Sequence, residues 1–305
     1  MRSLYIDAGE PAAIHIYQKT PKGFLVFYSV KDHVVFFMTL CLMARKYGIK
    51  VLGISIMPDH FHLLILPVPM DILSLFMQES TRCFARSYNC WYGRTGQLFN
   101  HSYGKSLKRG EKKMRTAAAY VYNNPVEKRL CQRVEMYQWN FLAYANQSHP
   151  FSENKPLRKT RKALRRALSV IQSHSEAGKI IPYALLESLS ESLTPEEVRV
   201  WIDTIIHTYN CVDYKSLISL YGSYETMLMA FESNTGSEYD IKEDYTPGSD
   251  RIYAKMTQIL NREYGNAGIR EVLSMPLEKR RMIGRTLLLK TKATPRQVIK
   301  YLQLE

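Results

Sequence analysis

Apolar residues recur with strand and helix spacing in alternation over the first 145 residues, and with helix spacing alone after that. Ile14, Ile16, Phe24, Val26 and Tyr28 are strand formers, and Thr20-Pro21-Lys22-Gly23 supplies a turn between them. From Lys31 to Tyr47 the spacing turns helical: Val34, Phe37, Met38, Cys41, Leu42 and Ala44 lie mostly on one face, and Gly48 caps the end. Val51 to Met57 and His60 to Leu66 are nearly all apolar and flank Pro58-Asp59, which predicts an antiparallel hairpin buried on both faces. A long amphipathic helix follows over 70–92, then a strand over 99–107. The Ala-rich helix from Lys112 is expected to stop at Asn124, because proline at 125 pushes the preceding residue out of the α region. This order of elements predicts an α+β fold with an antiparallel sheet of the ferredoxin-like type.

Strand signals vanish after about residue 153, and an all-α C-terminal region is expected. The segment from Lys155 to Arg166 holds seven basic residues and no acid. Thr194-Pro195-Glu196-Glu197 starts a helix, with proline in its first turn and a capping acid. Residues 236–249 are polar, acidic and turn-rich, as a linker is. The organisation read from these shifts is a first domain over 1–150, a basic helical domain over 151–235, the linker, and a last helical domain over 250–305. Glu278 to Leu289, a short turn and Pro295 to Leu302 have the length and capping (Thr294, then Pro295) of a helix-turn-helix.

Charge narrows the partners. Lys and Arg number 42 against 28 Asp and Glu, a formal net charge of +14, and such a surface attracts polyanions, nucleic acid first. The five cysteines are scattered with no CxxC pair, which argues against a disulfide framework or zinc knuckle and fits a reducing compartment. No apolar run has the length of a membrane span, and the start of the chain lacks a signal-peptide core. A cytoplasmic, nucleoid-associated protein with no membrane partner is expected.

Two short motifs carry chemistry. In Met57-Pro58-Asp59-His60-Phe61-His62 the two histidines flank one apolar residue, and on a strand they point to the same face, as paired metal ligands do. Imidazoles in so apolar a strand cost desolvation unless something binds them. In Ala117-Ala118-Ala119-Tyr120-Val121-Tyr122-Asn123-Asn124-Pro125, Tyr120 and Asn124 share a helix face, whereas Tyr122 is turned about 200° from Tyr120. Asn124 is placed to offer an amide oxygen as a third ligand beside the Tyr120 phenol. The small alanines let the helix lie close against a sheet.

The two motifs, in this order and about sixty residues apart, resemble the paired signature of the HUH single-tyrosine transposases. They are most similar to its REP-associated tyrosine transposase branch, which shares a Tyr-x-x-x-Asn-Pro-Val helix. The resemblance covers roughly residues 12–145. It implies a ferredoxin-like HUH nuclease domain, His60 and His62 as ligands of Mg²⁺ or Mn²⁺, Asn124 as a polar ligand, and Tyr120 as the nucleophile. It implies a DNA transposase that cuts and rejoins single-stranded DNA through a 5′-phosphotyrosine, acting at hairpin-flanked sites. Asp59 stands where the family commonly has asparagine, and the residues leave open whether it supports a ligand or is one. The other readings are a domesticated hairpin-DNA-binding protein and a replication-initiator-like nickase. The partner is single-stranded or hairpin DNA, bound by a monomer or homodimer.

Further basic residues are candidate DNA contacts. Lys105, Lys108, Arg109, Lys112, Lys113 and Arg115 run into the tyrosine helix, Arg158, Arg161 and Arg165 lie in the basic segment, and Lys292, Arg296 and Lys300 belong to the last helix pair. Affinity for a hairpin oligonucleotide is expected to fall steeply as salt rises, measured by fluorescence anisotropy; an affinity indifferent to salt would remove these residues from the interface.

Overall fold

A computed structural model describes residues 10–152, 160–233, 251–265 and 268–304. The first seven regular elements are β1 (Ala12–Lys19), α1 (Val30–Lys46), β2 (Val51–Met57), β3 (His60–Ile65), α2 (Met70–Tyr92), β4 (Gly104–Arg109) and α3 (Glu111–Glu127). The strands form one antiparallel sheet in the order β2-β3-β1-β4. With α1 and α2 as the crossovers this is the expected ferredoxin-like unit, and α3 is added to it.

The sheet is covered on both sides, and alternation along its strands decides which residue goes where. Ile14, Ile16, Ile54, Ile56, Phe61, Leu63 and Ile65 share a core with the α1 side chains Phe36 and Phe37 and the α2 side chains Phe76 and Phe84. Ala13, Leu52 and Leu64 belong to a second core, built with Ala117, Ala118, Tyr120 and Tyr122 of α3. The alanines bring that helix close to the sheet, as their size predicts.

Three expectations need correction. Phe24–Tyr28 is not a strand; after a turn at Pro21–Gly23 it runs extended, held by the Val26 N–H donating to Pro58 O at 2.9 Å. The last strand starts at Gly104 rather than 99, because Leu98 and Phe99 turn inward to the α2 core. The tyrosine helix continues through Pro125 to Glu127. Its final turn is kept helical by burial of Asn124 and Pro125 and by Asn123, whose Nδ2 donates to Phe231 O at 2.7 Å. Tertiary packing there outweighs the missing proline donor.

The helices that follow are α4 (Lys162–Glu176), α5 (Tyr183–Glu191), α6 (Pro195–Tyr209), α7 (Tyr214–Ser219), α8 (Tyr224–Ser233), α9 (Arg251–Tyr264), α10 (Gly268–Ser274), α11 (Leu277–Lys290) and α12 (Pro295–Leu302). The α6 cap is the predicted one: Thr194 accepts from the Glu197 N–H, and Glu197 returns the bond. Arg158 and the expected linker 236–249 lie outside the described residues.

Two polar contacts tie the later helices to the sheet unit. Asp32 is wholly buried in the first turn of α1, where it closes a capping box with Ser29. Its carboxylate also accepts from Tyr92 Oη of α2 at 3.0 Å and Tyr183 Oη of α5 at 2.9 Å. At the other end, α12 seals the extended segment after β1: the Leu25 N–H donates to Lys300 O at 3.2 Å, Tyr28 Oη to Tyr301 O at 2.7 Å, and Gln303 Nε2 to Leu25 O at 3.0 Å.

Burial pushes the Asp32 carboxyl up to about 6, against hydrogen bonds from Ser29, Tyr183 and Tyr92 that draw it down. A carboxyl raised on folding stabilises most at low pH, and the contribution is lost as pH rises through the folded value. The wild type is therefore expected to gain about 1 kcal/mol relative to Asp32→Asn between pH 7 and pH 5, read from chemical denaturation at each pH. Parallel stability curves would show that Asp32 does not titrate in that range.

Candidate active site

The site is built on the face of the sheet that α3 covers. His60 and His62 occupy alternate positions of β3, the strand between β2 and β1, so both rings project toward α3 while Phe61 and Leu63 go to the other core. Both histidines are buried, and their ring centroids stand 5.0 Å apart. Each has a fixed partner at Nδ1. Asp59 Oδ1 lies 2.6 Å from His60 Nδ1, and His15 Nε2 lies 3.0 Å from His62 Nδ1. Nε2 is then the nitrogen each ring can offer a cation.

Electrostatics favour the ligating form of His62. Burial, then the neighbouring His60 and His15, hold His62 well below the usual histidine range, so its ring is neutral. For Asp59 burial works upward, but the hydrogen bond and charge of His60, with Lys300 and Lys128, hold the carboxyl below its usual value. Asp59 is thus an anion that grips His60 through one oxygen and faces Lys300 Nζ, at 3.8 Å, through the other. That geometry casts it as a supporting partner of His60.

Tyr120 meets this pair edge-on. Its ring centroid is 5.4 Å from that of His62, nearly perpendicular, and 5.4 Å from that of His15. Asn124 follows one turn later on the same helix; it is buried, and its Oδ1 has no hydrogen-bond partner. An orphaned buried carbonyl oxygen, together with two oriented imidazoles, suits a divalent cation of the magnesium or manganese kind. Among the described residues no group of three or more His, Cys, Asp or Glu is placed to hold a metal.

Tyr122, the neighbouring tyrosine, is removed from this chemistry. Its hydroxyl donates to Leu52 O at 3.0 Å, and its ring lies so near Gly53 that a Cβ there would stand 3.2 Å away. Burial pushes its phenol well above the ordinary value.

Two members of the site were not anticipated. His15 and Tyr17 alternate with Ile14 and Ile16 along β1, a signal that puts them on the histidine face. The Tyr17 ring is 6.3 Å from that of His62 and lies over Gly104, where a Cβ would come within 2.2 Å of it.

The basic candidates scatter around this centre. Lys105, Lys112 and Lys113 are exposed on β4 and the first turn of α3, with Lys108 and Arg109 half-buried beside them. Arg115 is engaged by Glu111 at 3.3 Å and by Leu220 O at 3.2 Å. Arg161 pairs with Glu197 at 2.7 Å, whereas Arg165 is exposed on α4. Lys292 and Arg296 are exposed near the start of α12, but Lys300 turns inward to Asp59. Among the described residues no helix is long and apolar enough to cross a membrane.

Residues 27–124 match the family model described as transposase, IS200 like; His60, His62, Tyr120 and Asn124 all fall inside the matched stretch. Among solved structures, the chain is similar to a REP-associated tyrosine transposase bound to a REP hairpin, at 15% identity and a TM-score of 0.38, over 48% of this chain and 84% of that one. No curated protein matches it.

Removing the partner of a ligating imidazole loosens the ring and lowers metal affinity, commonly 10- to 100-fold. His15→Ala is expected to weaken Mn²⁺ binding at least about tenfold by calorimetry. Equal affinity in a folded variant would take His15 out of the site.

Proposed function

From residues 27–124 matching the IS200-like transposases, we propose that this protein is a strand transferase that cuts and rejoins single-stranded DNA, with Tyr120 as its nucleophile. The observation that carries the reading is the edge-on approach of Tyr120 to His62, with His60 beside it on the same face of β3. Two Nδ1-supported imidazoles and a phenol on one buried face of the sheet are what phosphodiester chemistry at a tyrosine needs.

In this mechanism the Tyr120 oxygen attacks the scissile phosphorus in line with the leaving 3′-oxygen. The phenol loses its proton, a phosphorus–oxygen bond to Tyr120 forms, and the strand departs with a free 3′-hydroxyl. The protein keeps the 5′-phosphate as a tyrosyl ester. That ester conserves the energy of the broken bond, so attack by another 3′-hydroxyl rejoins DNA without a nucleotide cofactor. His60, His62 and the Asn124 amide oxygen would hold a divalent cation, which supplies charge neutralisation on the non-bridging oxygens. Asp59 and His15 keep the two imidazoles oriented and in one tautomer. Tyr120 is fixed in place by the rigid α3–sheet contact, so little ordering remains to be done when substrate arrives.

The substrate class follows from charge and from the site. Tyr120 is only 3% exposed, and basic residues lie on β4 and on α3, the helix that carries it. An unpaired strand has the slenderness and flexibility to reach it. Hairpin-flanked ends, as in the resembled branch, are the proposed targets.

A labelled single-stranded hairpin oligonucleotide incubated with Mn²⁺ is expected to give an adduct that survives denaturing electrophoresis. Tyr120→Phe should abolish it, and His62→Ala should reduce it at least about a hundredfold. An adduct persisting in Tyr120→Phe would move the nucleophile to Tyr17, whose ring also adjoins His62. Tight hairpin binding with no adduct from any strand would mark a DNA-binding protein whose site no longer cuts.

A further inference from the structure

Positive charge reaches this site from three distant parts of the chain. Lys19 ends β1 directly across from His60 in the sheet register. Lys128 stands at the end of α3, one turn beyond Asn124 and two beyond Tyr120, and its N–H donates to Asn124 O at 3.0 Å. Lys300 comes from α12, near the end of the chain, and its ammonium sits 3.8 Å from Asp59 Oδ2.

The approach of Lys300 is built into two backbones. Its carbonyl is pinned by the Leu25 N–H, and its neighbour Tyr301 by Tyr28 Oη. Gly23, in a left-handed turn at φ +67°, faces the ammonium without a side chain; a Cβ there would stand 2.9 Å from Lys300 Nζ and 3.5 Å from Asp59 Oδ2. A lysine on a solvated helix face needs neither a notch nor a partner across the molecule. Lys300 has both, and its side chain is only 21% exposed.

The carboxylate that Lys300 faces, Asp59, is itself engaged with His60. The three lysines thus adjoin His60, Asn124 and Asp59 in turn. Lys19 also stands over the ring of Tyr17, its ammonium 5.9 Å from the ring centroid. We propose that Lys19, Lys128 and Lys300 form the binding site for the backbone phosphates of the strand presented to Tyr120, so that the C-terminal helix completes the nuclease site. Phosphate oxygens suit these lysines: ammonium groups meet them as point charges in charge-assisted hydrogen bonds, without reading base sequence. This inference rests on the strand-transferase reading above.

The test measures binding rather than cleavage, with the full chain carrying Tyr120→Phe. Affinity for a fluorescent single-stranded hairpin oligonucleotide is followed across a salt series. Lys19→Gln, Lys128→Gln and Lys300→Gln are each expected to weaken binding several-fold at low salt and to lower the slope of log affinity against log salt by about 0.7. Lys300→Arg keeps the charge and should restore the slope. Lys46→Gln, on the exposed end of α1 beyond the opposite sheet face, should leave it unchanged. A Lys300→Gln protein that melts normally and keeps the parent slope overturns the role of the C-terminal helix. A Lys300→Arg protein as impaired as Lys300→Gln would show a packing effect and overturn it too. If the parent itself binds with no salt dependence, the DNA reading fails, and this inference with it.

Discussion

No face of the central strand β3 is open to water, and that constraint organises everything near it. The strand is hydrogen-bonded on both edges and covered by α1 and α2 on one side and by α3 on the other. A polar side chain in such a strand must find partners or be excluded. His60 and His62 find Asp59 and His15, and those two bonds occupy Nδ1 of each ring. The site's pre-organisation is therefore a product of sheet packing. The same alternation that sends Phe61 and Leu63 into one core sends the histidines to the other face.

Much of this was legible in the sequence because it depends on short periods. The βαββαβ order, the α6 cap, the shared face of His60 and His62, and the shared helix face of Tyr120 and Asn124 all follow from short spacings. What escaped depends on contacts between distant segments. The helix persists through Pro125 because of a side chain–backbone bond to Phe231, far along the chain. Leu98 and Phe99 have strand propensity and are spent on core packing instead. His15 carried a readable signal, an imidazole opposite two isoleucines, but its partner is set by the β1–β3 register, which no local pattern specifies.

The basic residues divide in a way that composition cannot show. Arg115 and Arg161 buttress the fold through acidic partners and backbone carbonyls, so their charge is partly used up in packing. Lys105, Lys112, Lys113, Arg165, Lys292 and Arg296 remain at the surface, where attraction for a polyanion is strong at a distance and screened by salt. Lys300 belongs to neither group. A residue that reads in the sequence as the outer face of a helix-turn-helix is turned toward the histidines, because Val298, Tyr301 and Leu302 are buried and take the rest of α12 with them.

The seal between α12 and the segment after β1 also bears on when the fold can be completed. Gln303 and Leu25 are bonded across 278 residues of sequence. Closing so long a loop costs entropy that only finished packing can offset, and contacts of this range form late. During synthesis the sheet, α1, α2 and α3 emerge first and have the residues to collapse as a unit. The elements that carry the histidines and the tyrosine thus precede α12 in the chain, and the clasp that α12 makes on Leu25 spans nearly all of the sequence between them.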